Sequence, residues 1–160
     1  MSPLLRPIGP FDLEIVAALH AASFEEAWSV QAIGELLAMP GAFGIMACLP
    51  GPQGPRPAGF LLGRTAAEDC EILSIGIDPQ LRRQGLAKLL MDGASAHAAA
   101  VGARRMFLEV AEDNWGARRL YASLGFAPVG RRRNYYRRGQ NFVAALTMRR
   151  LLPAWRGPYR

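Results

Sequence analysis

The sequence has little lysine, little cysteine and no long apolar run. Lys88 is the single lysine among 19 lysines and arginines, and Cys48 and Cys70 are the only cysteines. Two distant cysteines form neither a disulfide framework nor a metal motif, so we expect buried free thiols and no metal. No run approaches the roughly 20 apolar residues of a membrane span, and the N-terminus has no signal-peptide pattern. We therefore expect a soluble, cytoplasmic protein without a membrane partner.

Acidic residues are also scarce, which gives the chain of 160 residues a net charge of +6. A charge of this sign suits an anionic partner. A genome rich in G and C, which replaces lysine with arginine, explains the same composition, so the charge alone does not identify a function. The length is that of one ordinary domain.

Apolar periodicity predicts an α/β domain with a mixed sheet. The proline- and glycine-rich stretch 50–57 is expected to be a hairpin loop, and the chain to form one domain over 1–150 with a basic tail at 151–160. The predicted strands are 4–8, 42–49, 58–65, 71–77, 106–110, 128–136 and 141–149. The predicted helices begin at Asp12 and Ser29 and span 85–101 and 114–124.

The stretch 72–90 combines a buried strand, a turn and a helix. Asp78 and the proline after it end the strand, and helical spacing resumes at Gly85. The first N–H groups of a helix have no partner inside it, and the side chains of Gly85 and Ala87 are too small to cover them. Three basic side chains stand close by: Arg82, Arg83 and Lys88. The stretch predicts a pyrophosphate site; alternatively, it is only a tight turn with solvated arginines.

A second set of motifs follows in the later part of the chain. Leu-Glu-Val stands at 108–110, Asn114 opens a helix, and Leu-Tyr at 120–121 precedes Gly-Phe at 125–126. Together with the loop, in this order and spacing, they resemble the GNAT N-acetyltransferases. The residues Glu-Ile-Leu at 71–73 and Arg-Arg-Asn-Tyr-Tyr at 132–136 resemble, more narrowly, members that acetylate the N-terminal alanine of a ribosomal protein. The resemblance covers roughly residues 71–136.

The resemblance implies a single-domain GNAT fold, with a mixed, mostly antiparallel sheet flanked by helices. It further implies transfer of acetyl from acetyl-CoA to the N-terminal α-amino group of a protein, as a monomer or weak dimer with no direct nucleic-acid role. Two alternatives are a small-molecule amine as acceptor, or a non-catalytic module that binds CoA or RNA. The few acidic residues of the expected acceptor region, Glu25, Glu26 and Glu35, favour a peptide over a polyamine.

Two residues are candidates for catalysis. Glu109 interrupts the apolar strand 106–110, where partial desolvation would make its carboxylate a stronger base, and its position matches the general base of the family. It could instead face solvent or pair with an arginine. Tyr121 matches the general acid and carries its proton at neutral pH. A tyrosine on the inner face of a helix could also be a plain core residue.

The remaining assignments follow from the resemblance. Backbone groups of the central strand, at Ile75, Gly76 and Ile77, are expected to hold the acetyl oxygen. The pyrophosphate contacts fall on Arg83, Gln84, Gly85, Leu86, Ala87 and Lys88, with Ala87 in place of the usual last glycine. Asn114 would meet the pantetheine arm, cap its helix, or both. Trp28, Tyr135 and Tyr136 would contact the acceptor, although Trp28 could be a core residue and the two tyrosines part of a solvated hairpin.

Overall fold

In a computed structural model the described residues, 2–154, form seven strands and four α-helices. The strands are β1 (Leu4–Pro7), β2 (Ala42–Leu49), β3 (Arg56–Ala66), β4 (Asp69–Ile77), β5 (Arg105–Ala111), β6 (Ala127–Arg138) and β7 (Asn141–Leu151). The helices are α1 (Leu13–Ser23), α2 (Val30–Leu37), α3 (Leu86–Ala100) and α4 (Trp115–Ser123), with short 3-10 turns at Pro10–Asp12 and Pro79–Leu81.

All seven strands lie in one sheet, in the order β1-β2-β3-β4-β5-β7-β6. Neighbouring strands are antiparallel except β4 and β5, which are parallel and are joined through α3. The predicted mixed, mostly antiparallel sheet is confirmed. The expectation that 50–57 stays wholly outside the sheet is wrong, because Arg56 and Pro57 begin β3. The register of the β2–β3 pair shifts opposite Ala47 and Cys48, where Ala58 of β3 is an extra residue, and this bulge accommodates the adjacent proline.

Two apolar clusters pack against the sheet. The first includes Leu90 and Met91 of α3, Tyr121 of α4, and Leu108 and Val110 of β5. The second joins α1 and α2 to β2 and β3, through Val16, Ile33, Met46, Phe60 and Leu62. Cys70 belongs to the first cluster and Cys48 to the second, and both are buried free thiols, as expected. The helices therefore cover the two faces of one sheet.

The two helix starts expected near the N-terminus are made differently. Ser29 caps α2, since its Oγ accepts a hydrogen bond from the backbone N–H of Ala32 at 3.1 Å. Asp12 precedes α1 but does not cap it. Its carboxylate instead accepts from the guanidinium of Arg6 at 2.8 Å and from the N–H of Gly9 at 2.7 Å, which closes the preceding 3-10 turn.

The C-terminal strand runs slightly further than expected. Leu151 ends β7, and Leu152 is buried, with its N–H bonded to the carbonyl of Arg104 at 2.8 Å. These two residues, assigned above to the tail, belong to the fold, whereas residues 155–160 of the predicted tail lie outside the described residues. No helix between residues 2 and 154 is long and apolar enough to cross a membrane.

Candidate active site

The two parallel strands at the centre of the sheet separate halfway along their length. β4 and β5 pair only from Asp69 opposite Arg105 to Ile72 opposite Leu108. Beyond that point β4 continues to Ile77, paired on its other side with β3. Alternate N–H groups of β4, among the predicted donors Ile75, Gly76 and Ile77, therefore face a gap rather than a neighbouring strand. Such a gap can admit an extended ligand between the strands.

The loop after β4 leads directly into α3. The carboxylate of Asp78 accepts a hydrogen bond from the N–H of Gln80 at 3.0 Å, which stabilises the turn. Arg83 and Gly85 both have positive φ, 63° and 75°, and a side chain at Gly85 would meet nothing within 4 Å. The first helical bond runs from the N–H of Leu89 to the carbonyl of Gly85. The N–H groups of the three residues before Leu89 thus remain open to a ligand.

The side chains around this loop differ in what they offer. Leu86 is buried in the first cluster and presents only its backbone, while Ala87 is half-buried. Lys88 forms an ion pair with Asp92 at 2.8 Å, so its charge is partly neutralised on the helix surface. Arg83 and Gln84 are exposed. Open N–H groups, a bare glycine and an exposed arginine could hold a pyrophosphate, and the assignment of this stretch stays a prediction.

Glu109 is the first residue of β5 beyond the paired segment. It alternates with Leu108 and Val110 of the first cluster, so its side chain lies on the opposite face of the sheet, with 19% of its surface exposed. Its Oε1 is 3.0 Å from Nε of Arg132 on β6. Pairing with an arginine was one reading of the sequence, but no sequence signal distinguished Arg132 from the other arginines.

Tyr121 lies among the residues of the first cluster, with 7% of its surface exposed and its ring edge-on to Phe126. Burial, with a further contribution from Tyr136, raises the pKa of Tyr121 to about 12. Every fully buried side-chain oxygen within residues 2–154 has a hydrogen-bond partner. The Tyr121 hydroxyl has none there, so it is not fully buried. Its oxygen therefore reaches the surface, and Tyr121 keeps its proton at neutral pH.

Tyr136 connects the two candidate catalytic residues. Its hydroxyl donates a long hydrogen bond of 3.4 Å to the carbonyl of Glu109, and it is near enough to Tyr121 to affect the pKa of that residue. Burial, then the charge of Glu109, raises the pKa of Tyr136 itself to about 12. The ring of Tyr135, half exposed, stands edge-on to it. The hairpin thus brings Tyr135 and Tyr136 to Glu109.

A bulge in β6 determines where Tyr135 and Tyr136 lie. Arg132 lies opposite Ala145 and Tyr136 opposite Val143, so the register shifts by two residues between them. Asn134, in the distorted segment, has a φ of 53°. Such a bulge re-aims the side chains that follow it.

Trp28 occupies a different environment. Its backbone N–H donates to Nδ1 of His20 at 3.1 Å, and the two rings stack 4.7 Å apart within the second cluster. These contacts hold the chain segment between α1 and α2 in place. They fit the alternative that Trp28 is a core residue. The structure brings Tyr136 to Glu109 by a hydrogen bond and close enough to Tyr121 to affect its pKa, but it gives Trp28 no hydrogen bond or ring contact with these residues.

Asn114 caps α4, because its Oδ1 accepts from the N–H of Ala117 at 3.2 Å. Its side-chain NH₂ has no hydrogen-bond partner within residues 2–154 and is available to a ligand.

The same part of the chain contains no cluster of three potential metal ligands.

Comparison with known proteins agrees with this geometry. The Acetyltransferase (GNAT) family matches residues 13–126. The [ribosomal protein bS18]-alanine N-acetyltransferase of Salmonella typhimurium is 32% identical over 93 residues, 58% of this chain and 63% of the relative. A Bacillus subtilis relative, provisionally given the same name, is 32% identical over 126 residues, 78% of this chain and 81% of the relative.

The fold also matches a solved structure. The crystal structure of the ribosomal-protein-S18-alanine N-acetyltransferase from Escherichia coli superposes with a TM-score of 0.86 at 22% identity, covering 99% of this chain and all of that one. The chain belongs to the GNAT acetyltransferase family. In sequence it aligns with less than two thirds of the length of the Salmonella relative.

Proposed function

We propose that this chain transfers the acetyl group of acetyl-CoA to the α-amino group of the N-terminal alanine of ribosomal protein bS18. The relatives named above motivate the choice of acceptor, which would place the reaction in the cytoplasm. One observation carries the proposal: the gap beyond Ile72 and Leu108 has Glu109 on one face and Tyr121 on the other, with the Tyr136 hydroxyl bonded to the backbone carbonyl of Glu109.

The chemistry requires a proton acceptor and a proton donor. An N-terminal amine has a pKa of about 7.7 to 8.0 and is largely protonated at pH 7, so it must lose a proton before it can attack. Glu109 accepts this proton, directly or through a water. Acetyl-CoA supplies an acetyl group already activated as a thioester. Tyr121 donates its proton to the departing sulfur, and the free N–H groups of β4 stabilise negative charge on the acetyl oxygen.

The binding roles divide along the same gap. The backbone from Arg83 to Lys88 would hold the pyrophosphate, and the free NH₂ of Asn114 would meet the pantetheine arm. Tyr135 and Tyr136 would pack against the first residues of the acceptor. No nucleophile that could form an acyl-enzyme takes part, so transfer is direct.

Release of free CoA thiol with short peptides tests this proposal. We expect turnover with peptides that begin with a free alanine and none when that amine is blocked. Tyr121→Phe should lower kcat by roughly 10- to 100-fold, because it removes only the donated proton. Its melting temperature should stay close to that of the wild type, since the Tyr121 hydroxyl has no hydrogen-bond partner within residues 2–154.

Other outcomes are equally informative. If acetyl-CoA binds but no peptide is acetylated while small amines are, the protein acceptor is wrong. If acetyl-CoA does not bind, the assignment of the loop after β4 is wrong.

A further inference from the structure

Arg132 reaches Glu109 across an intervening strand. Glu109 lies opposite Thr147 of β7, and Arg132 lies opposite Ala145 of the same strand. Paired and alternate residues share one face of a sheet, so all four side chains lie on the face of Glu109. Because Ala145 and Thr147 are small, the arginine can cross above them to within 3.0 Å of the carboxylate.

The contact engages only one side of the carboxylate. Nε of Arg132 meets Oε1 of Glu109, while Oε2 forms no ion pair or hydrogen bond within residues 2–154. The guanidinium is 5.4 Å from the ring centre of Tyr135, which adds a weak cation–π attraction. One carboxylate oxygen is thus held in place, and the other is left to accept a proton.

Arg132 is the sole fixed charge paired with Glu109 among the described residues. The other polar groups near this carboxylate come from three elements: Tyr136 from β6, Thr147 from β7 and, through Tyr136, Tyr121 from α4. All of these are neutral at pH 7. A second cation, Arg138 of β6, lies 5.8 Å from the ring of Tyr136 but pairs with Asp113, so Arg132 is the cation in direct contact with this carboxylate.

We propose that Arg132 is a positioning residue for acetyl transfer: it orients Glu109 and, by its charge, favours the neutral, attacking form of the acceptor amine. This inference rests on the function proposed above. An amine held between Glu109 and a permanent cation loses its proton more readily than the same amine in water, since the ammonium would be repelled. The N–H bond of the ammonium breaks and an O–H bond forms at Oε2.

The test is the pH dependence of kcat, at saturating alanine peptide, with Arg132→Gln, because kcat reports the protonation of groups in the enzyme–substrate complex. Loss of the cation makes the bound amine hold its proton more strongly. The acid limb of the profile should therefore move upward by about 0.5 pH unit, the scale expected for a partly exposed ion pair. The deficit should be largest near pH 7 and shrink towards pH 9. Arg132→Lys, which keeps the charge, should recover most of the wild-type profile.

Arg133→Gln is the matched control, since Arg133 is the adjacent residue and forms no ion pair with Glu109. Its profile should follow the wild type. A uniform drop at every pH in Arg132→Gln would reduce Arg132 to a structural role and overturn the proposal, as would an unchanged profile. If the wild type itself fails to acetylate any peptide, the proposed function fails first and the role of Arg132 with it.

Discussion

The loop after β4 and the hairpin of β6 and β7 are both rich in arginine, yet they use it differently. Within residues 2–154, Arg82 and Arg83 form no ion pair, and the loop around them presents open backbone N–H groups. In the hairpin, Arg131 pairs with Glu112, Arg132 with Glu109 and Arg138 with Asp113. Unpaired charge beside free donors suits an anionic ligand, whereas paired charge fixes the geometry of neighbouring side chains.

The largest effect is expected when a side chain is introduced at Gly85, in the loop after β4. Gly85→Val forces a β-branched residue into the left-handed region and covers the first N–H groups of α3. We expect acetyl-CoA affinity to fall by roughly 10- to 100-fold, measured by calorimetry. Gly102→Val is the matched control, because Gly102 also has a positive φ, 95°, with nothing within 4 Å of its missing side chain.

The control should lose a similar amount of stability and bind acetyl-CoA normally. Equal affinity losses in the two variants would mean that backbone strain, rather than blocked donors, weakens binding. The distinction drawn between loop and hairpin would then fail.

A smaller effect is expected at Asn114, which serves α4 with one side-chain atom and can serve a ligand with another. Asn114→Ala removes both and should lower the free energy of unfolding by about 1 kcal/mol. Asn114→Asp keeps the oxygen that caps α4 but loses the NH₂, so its stability should stay near the wild type while acetyl-CoA binds a few times more weakly. Denaturant unfolding and calorimetry measure the two quantities. Normal binding by Asn114→Asp would leave this residue as a cap alone.

The smallest effect is expected where Trp28 packs on His20. Burial lowers the pKa of His20 below its ordinary value of 6.5, so the folded state binds this proton less readily than the unfolded state. Its contribution to stability is complete above pH 6.5 and is lost as the pH falls through the lowered pKa. We expect the stability lost between pH 7 and 5 to be smaller in His20→Gln than in the wild type, since glutamine does not titrate and its side-chain oxygen can still accept from Trp28.

Thermal melts at the two pH values measure this difference. The titration of the carboxylates contributes equally to both proteins and cancels in the comparison. An identical slope in His20→Gln would show that His20 titrates normally. It would also remove the argument that the stack of Trp28 on His20 belongs to the rigid core and not to the acceptor site.

Local chemistry explains what the sequence predicts well. The strand, turn and helix over 72–90 depend on neighbouring residues, so Asp78 and Gly85 identify them directly. The pairing of Arg132 with Glu109 depends instead on the register of three strands and on the bulge before Tyr136, which no local pattern encodes. Pro57 lies in β3 against its propensity for a related reason, since the bulge at Ala58 that accommodates it depends on the register of β3 against β2.

β6 is an outer strand of the sheet, and 11 of its 12 residues are exposed to solvent. Such an edge can recruit a strand from another molecule. Here five arginines, Pro128 and two register shifts oppose that pairing. The hairpin charges therefore oppose edge-to-edge strand pairing at β6, independently of any substrate. Variants that neutralise several of them should aggregate at high concentration even where their chemistry is unimpaired.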